Sequence, residues 1–396
     1  MDRMLSRRAL LAGSASLVLG AVAGCSADQQ TPVGSASPST GPTSAGSSPS
    51  GSSASPTARS SSATPKPTTS PTGDPKPKVA DTIADDLNVP WSIVFLASGD
   101  ALVSERDTAR LLKITPKGKV STFGEVSGVQ PPSGFGEGGL LGLALHPDDQ
   151  ETLYAYCTTS SDNRVVRISL AGGKVGKPHP VLTGIPTSTH HHGGRLLFAP
   201  DGNLFVSTGD AEVSSRAQNR SSLAGKILRI KPNGKAASGN PFGNRTWTYG
   251  HRNIEGLAFD SDGRLWATEF GDKKSDELNL IVKGHNYGWP DVEGKSSNDS
   301  YTNPKVTWSP TSRCSPAGIA ITRSTAFIGA LQGRCLFSVP LSGAAAGKPV
   351  EHFAGDHGRI RNVAVAPDGS LWMTTSNTDG RIDPGRNDDK ILRVTL

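Results

Sequence analysis

Beyond residue 90 the chain repeats one layout: a short apolar run, an Asp/Gly turn, then a second β-rich run. Six copies are legible: PWSIVFLASGDALVSE, LLGLALHPDDQETLYAYC, GRLLFAPDGNLFVSTGD, EGLAFDSDGRLWATEFGD, AGIAITRSTAFIGA and VAVAPDGSLWMTTS. Their anchor residues Phe95, Leu145, Phe198, Phe259, Ile321 and Val365 are spaced by roughly 44 to 62 residues, a period suited to propeller blades. Four copies centre on an Asp-Gly or Gly-Asp pair, which tolerates the positive φ of a tight hairpin. Helical periodicity is not evident between them. The pattern therefore predicts an all-β chain folded as a six-bladed β-propeller, with a β-sandwich as the competing arrangement. The C-terminal DDKILRVTL reads as a strand that pairs with the first segment of the domain and closes the ring without an exposed edge.

The N-terminal part follows different rules. Arg3, Arg7 and Arg8 precede an apolar run from Ala9 to Ala23, too short for a membrane span and read instead as a targeting segment. Ser6-Arg7-Arg8-Ala9-Leu10-Leu11 resembles a twin-arginine export signal, and Val22-Ala23-Gly24-Cys25 resembles a bacterial lipobox. In such a signal Cys25 becomes the lipidated first residue, so the expected location is the outer face of the cytoplasmic membrane, with the lipid as the only membrane contact. Residues 26–78 are almost wholly Ser, Thr, Pro, Gly and Ala, a composition that cannot bury enough apolar surface to offset its chain entropy. They are expected to be a disordered tether, leaving 79–396 as one globular domain.

The net charge of +6 arises partly in the signal and tether. The remaining Lys and Arg are scattered, without basic runs interleaved with aromatics, which argues against a nucleic-acid partner. Beyond Cys25, Cys157 lies in a strand-like run and reads as a buried thiol. Cys314 and Cys335 flank the fifth repeat and are expected to form a disulfide in an exported protein.

The repeats also act as a coordinate system for polar residues. His191 and Arg252 each fall seven residues before their anchors; Arg359 and Arg361 fall six and four before Val365, and Glu137 eight before Leu145. Each lies in the segment entering an equivalent strand, and such positions converge around a propeller's axis. Three guanidinium groups around one pocket suit a polyanionic ligand, and a histidine beside them suits a general base. Gly136, Gly138, Gly139, Gly193 and Gly194 allow close backbone approach to a flat ligand.

The run His190-His191-His192 lacks the spacing of a zinc site, because adjacent side chains point in different directions. The stretch Gly271 to Glu277 is the better cation candidate, since it offers carboxylates and turn carbonyls to a hard ion such as Ca²⁺, although an acidic surface loop reads the same way. No GxSxG elbow, P-loop or strand-linked GxGxxG is present, which argues against serine-hydrolase, NTPase and nicotinamide chemistry.

Several motifs together resemble the soluble pyrroloquinoline-quinone (PQQ) sugar dehydrogenases, the glucose/sorbosone or aldose sugar dehydrogenase family. They are Pro90-Trp91 with Ser104-Glu105-Arg106, GEGGLLGLALHPD, HHGGRLLFAPDGNLFVSTGD, LAGKILRI, Gly250-His251-Arg252-Asn253, Asn286-Tyr287-Gly288-Trp289-Pro290 and RIRNVAVAPDGSLWMTTSNTDG. The similarity spans about Leu87 to Val394. It implies an enzyme that oxidises an aldose by hydride transfer from the anomeric carbon to PQQ, with electrons passing on to an acceptor outside the chain. His191 matches the general base, and Arg252, accompanied by Asn253, matches the arginine beside the quinone oxygens. Arg359 and Arg361 match arginines holding the cofactor's carboxylates. The carbonyls of Gly271 and Asp272 match a Ca²⁺-binding pair, and Glu277 and Tyr287 a second calcium region.

The chain also departs from the family. Glu137 stands where a Gln is usual, adding negative charge beside a tricarboxylate, and Gln332 aligns with a cofactor-binding Lys. Asp272 replaces a Pro. These departures keep alternatives open: a non-catalytic propeller binding a sugar, peptide or cell-envelope ligand, or a calcium-dependent propeller hydrolase.

Overall fold

The structure, a computed structural model, describes residues 75–396; the export signal, Cys25 and most of the tether lie outside the described residues. Strand β1 (Lys78–Ala84) opens the fold, one residue before the expected boundary. Blade 1 holds β2 (Pro90–Phe95), β3 (Ala101–Glu105), β4 (Arg110–Ile114) and β5 (Val120–Glu125). Blade 2 holds β6 (Leu140–His146), β7 (Asp149–Thr158), β8 (Asn163–Ser169) and β9 (His179–Ile185). Blade 3 holds β10 (Gly193–Phe198), β11 (Leu204–Thr208), β12 (Lys226–Ile230) and β13 (Thr246–Tyr249). Blade 4 holds β14 (Ile254–Phe259), β15 (Leu265–Glu269), β16 (Asp276–Ile281) and β17 (Val306–Trp308). Blade 5 holds β18 (Pro316–Thr322), β19 (Thr325–Ala330) and β20 (Cys335–Ser342), with β21 (Ala345–Ala346) and β22 (Val350–His352) both pairing β20. Blade 6 holds β23 (Ile360–Val365), β24 (Leu371–Thr375) and β25 (Ile391–Thr395).

These are six antiparallel sheets, and β1 completes the last one by pairing β25, with Val79 opposite Val394. The first strands of successive blades touch in turn, and β2 touches β23, so the ring closes as a six-bladed β-propeller. The hairpin turns work as their sequences predict: Gly99, Gly202, Gly263 and Gly369 all have φ between 75 and 84°. Blade 5 has no glycine there, and Arg323 and Ser324 take φ of 50 and 52° instead.

The core is divided into six clusters, one between each pair of neighbouring blades. Alternation along the second strands explains this. In β11, Leu204 and Val206 pack toward blade 2 while Phe205 packs toward blade 4. In β24, Leu371 and Met373 join blade 5 and Trp372 joins blade 1. Both faces are buried, so these strands read as continuous apolar runs, and each fully buried Leu or Phe contributes about 1.5–3 kcal/mol.

Every blade also carries a register shift near the start of its first strand, at Pro90/Ser92, Leu140/Leu143, Gly193/Leu196, Ile254/Gly256, Pro316/Ile319 and Ile360/Asn362. Bulges re-aim side chains. Here they fall on Trp91, Arg195, Glu255 and Arg361, which meet one another across the ring.

The expected Cys314–Cys335 disulfide is not formed. Both are free buried thiols in the cluster between blades 4 and 5, and burial pushes the Cys335 thiol up to about 12. Packed as small apolar groups, they contribute to the core without a bridge. Cys157 is buried in β7 as expected, and its thiol is also pushed up to about 12 by burial.

Candidate active site

The segments leading into the first strands and the loops following the second strands share one end of the ring, because strands within a blade are antiparallel. His191 leads into β10 with φ of 61°, a left-handed conformation that costs a non-glycine residue about 1–3 kcal/mol. Two contacts hold it there. Its N–H donates to Glu137 Oε2 at 3.0 Å, and its Nδ1 pairs with Asp210 Oδ1 at 2.7 Å. Asp210 follows β11 and is itself fixed: its Oδ2 accepts from Trp289 Nε1 at 2.8 Å, and its N–H donates to the Arg252 carbonyl at 2.8 Å. With Nδ1–H donated to Asp210, His191 keeps the Nε2 lone pair for a proton. The neighbouring histidines go elsewhere, His190 to Glu212 and His192 to Asn163.

Arg252 leads into β14. Its N–H donates to Glu269 Oε1 at 2.6 Å, its Nη2 donates to Asp272 Oδ1 at 3.0 Å, and its guanidinium lies over the Trp289 ring, 5.5 Å from the centroid. Asn253 is fully buried, and its Oδ1 accepts the Gly193 N–H at 2.8 Å. Arg252 and Asn253 thereby tie blade 4 to the His191 segment.

The remaining arginines correct the picture of free cations around a pocket. Arg359 Nε donates to Asp379 Oδ2 at 3.0 Å, and Arg361 pairs with Glu255 while lying 3.7 Å from Asp379. Both guanidinium groups are buried, and a buried charge needs a partner. Burial opposes ionisation of Asp379, but Arg359, Arg361 and Arg381 outweigh it and hold its carboxyl below the usual range. Arg361 belongs to a deeper girdle with Arg195, whose Nε donates to the Glu255 carbonyl at 2.8 Å and whose guanidinium sits 4.2 Å from the Trp91 ring centroid.

Glu137 does not add an unbalanced charge. Arg381 Nη2 donates to its Oε1 at 3.0 Å; although burial opposes ionisation, Arg381, the His191 N–H and Arg361 hold its carboxyl below the usual range. Gln332 lies exposed in the turn after β19, outside this ion-pair network.

Residues Gly271 and Asp272 follow β15. Gly271 N–H donates to Asp276 Oδ1 at 2.9 Å, and burial pushes Asp276 up to about 7. A Cβ on Gly271 would sit 2.0 Å from the Ser275 carbonyl oxygen and 2.6 Å from Glu293 Oε1, so only glycine fits. Glu277 and Tyr287 meet Arg252, Gly271 and Glu293 around one small cavity. Their side chains have protein partners: Glu277 accepts from the Gly294 N–H and from Asn279, and the Tyr287 hydroxyl donates to Leu280 O at 2.7 Å and accepts from Val282 N at 2.9 Å. Burial, then the Glu269 charge, raise the Glu277 carboxyl.

The six anchors line a cavity of about 520 Å³ around the axis. They sit at the far ends of the first strands, away from His191 and Arg252. This cavity and the candidate chemistry thus lie at opposite ends of the ring.

PQQ is a flat tricarboxylate, and the residues present fit such a group. Although each arginine has a carboxylate partner, Arg252 Nε, Asn253 Nδ2, Arg361 Nε and Arg381 Nη1 are buried donors without partners. That leaves donor capacity for an acceptor-rich ligand. Asp210 and Arg381 are site residues that the sequence patterns alone do not single out. A signal for Asp210 exists: a Gly-Asp pair follows the second strand in both blades, Gly209-Asp210 directly after β11 and Gly271-Asp272 one residue further on after β15.

Comparisons with known proteins follow the same lines. Residues 87–383 match the family described as glucose/sorbosone dehydrogenase. The structure of the PQQ-bound aldose sugar dehydrogenase from Streptomyces coelicolor is 44% identical, covers 81% of this chain and 98% of its own, and superposes with a TM-score of 0.78. The aldose sugar dehydrogenase YliI of Escherichia coli is 28% identical over 76% of this chain and 91% of its own length. Quinoprotein glucose dehydrogenase B of Acinetobacter calcoaceticus is 30% identical over 55% of this chain and 54% of its own length. The chain belongs to the glucose/sorbosone dehydrogenase family.

Proposed function

We propose that this protein is an exported, lipid-anchored quinoprotein that oxidises aldose sugars at the anomeric carbon, using PQQ and Ca²⁺. The observation that carries the chemistry is the His191–Asp210 pair. Asp210 accepts a hydrogen bond from Nδ1–H and fixes the ring, so Nε2 can accept the anomeric hydroxyl proton as the C1–H bond gives up its electron pair. When bound, PQQ supplies the two-electron acceptor for that hydride. Arg252, braced by Asp272 and Trp289, offers positive charge beside the reacting centre. The partnerless donors of Asn253 and Arg381 would hold ligand oxygens, and Arg359 belongs to the same end of the ring. The carbonyls of Gly271 and Asp272 would hold the cation, which prefers oxygen ligands.

One spectrum tests this. Purified protein given Ca²⁺ and PQQ should develop a quinone absorption band that changes on adding an aldose, with dye reduction at the same time. Binding of a sugar without turnover would favour the non-catalytic propeller instead. The cell-envelope location rests on Cys25 and its flanking sequence. Cys25→Ala should move the protein from the membrane fraction to the soluble fraction of fractionated cells; unchanged membrane retention rejects the lipid anchor.

A further inference from the structure

Four successive backbone N–H groups in the loop after β15 converge on one carboxylate oxygen. Asp272, Lys273, Lys274 and Ser275 donate to Glu293 Oε1 at 2.8, 3.0, 2.6 and 2.9 Å. Successive N–H groups turned to one side form a nest for negative charge, and here the chain fills it with its own side chain. The consequence follows from peptide geometry. These peptides are not among the cis bonds of the described residues, and in a trans peptide C=O and N–H point opposite ways. The N–H of Asp272 shares a peptide plane with the Gly271 carbonyl, and that of Lys273 with the Asp272 carbonyl. When both N–H groups are drawn to Glu293, both carbonyls are turned away from it, onto the other side of the loop. No N–H or O–H of the described residues donates to either carbonyl.

We infer that Glu293 is the positioning residue that aims the Gly271 and Asp272 carbonyls at the Ca²⁺ ion. The inference rests on the calcium reading above. Glu293 Oε1 is engaged by the loop N–H groups. It acts through the loop, as outer residues around metal sites orient the groups that bind the ion. The same grip holds the Asp272 backbone where its carboxylate reaches Arg252, so one side chain sets both the carbonyl pair and the brace on that arginine. Glycine at position 271 is part of the device, because Glu293 Oε1 lies where a Cβ would project.

The test uses the full-length chain with PQQ, titrating Ca²⁺ and following the quinone absorption band. Hydrogen exchange of the peptide covering residues 272–275 is followed in parallel. Glu293→Ala removes the acceptor and should weaken Ca²⁺ binding by about 10- to 100-fold, with faster amide exchange in that peptide. Glu293→Gln keeps an oxygen at the same place and should restore most of both. A Glu293→Ala protein that binds Ca²⁺ as the wild type does overturns the inference while leaving the calcium reading intact. So does a Glu293→Gln protein as impaired as Glu293→Ala, since charge rather than loop geometry would then be at work. Wild-type protein that binds PQQ with no dependence on Ca²⁺ overturns the calcium reading, and the inference with it.

Discussion

His191→Ala should lower turnover of an aldose by about two to four orders of magnitude at saturating PQQ, with cofactor affinity largely retained. Among the described residues no hydrogen bond occupies the imidazole's Nε2, and its loss removes the proposed proton acceptor without touching the ion pairs around the axis. Asp210→Asn is the sharper partner variant. It is nearly isosteric and keeps hydrogen-bonding capacity toward Trp289 or His191, but an amide cannot hold the imidazole tautomer as a carboxylate does. In a histidine–carboxylate arrangement that change costs up to about 10⁴ in rate. Steady-state kinetics on both variants, with PQQ binding measured separately, decide the matter. Full activity in His191→Ala at saturating PQQ would reject His191 as the base.

The second large effect falls on stability. Arg361→Ala should destabilise the domain by about 3–5 kcal/mol, the usual cost of breaking a buried ion pair from one side. Its side chain is 4% exposed, and its partners Glu255 and Asp379 are 5% and 0% exposed. Removing the guanidinium takes away the ion-pair partner of Glu255 in the girdle, while Asp379 keeps Arg359. Replacing both partners, as Arg361→Met with Glu255→Leu, should recover most of the loss, because an apolar pair of similar volume needs no counter-charge. Guanidinium-chloride unfolding curves measure both. If Arg361→Ala unfolds like the wild type and only loses PQQ affinity, the girdle is not structural and Arg361 is a cofactor ligand, as the family resemblance implies.

These two predictions separate what was legible in the chain from what was not. His191 and Arg252 were visible because both stand seven residues before an anchor, and equivalent offsets in a repeating fold become neighbouring places in space. The same reasoning placed Arg361 in the cluster but misjudged its surroundings. Glu255, its partner, lies 106 residues away, within an apolar run that reads as core. Arg381 was missed for a related reason: it meets Glu137 across 244 residues, a contact that exists only once blade 6 closes beside blade 1. Glu293 lies in the connection between β16 and β17, where neither periodicity nor a motif marks it.

By itself the sequence determined the six-fold repeat, the hairpins and the closure of the ring. Alternating burial, turn chemistry at Gly99, Gly202, Gly263 and Gly369, and a terminal apolar run are local properties that act over a few residues. It also marked which side chains gather at the site end. Only the tertiary structure decided how their charges are matched. Pairing depends on which loops arrive at the same place, and the ring brings together blades that are remote along the chain. The disulfide expected between Cys314 and Cys335 is absent as well, and both stand as packed thiols in one cluster. The meeting of remote blades is why the cluster of free arginines becomes a network of ion pairs, and why the histidine acquires its orienting Asp210 from a loop outside its own segment.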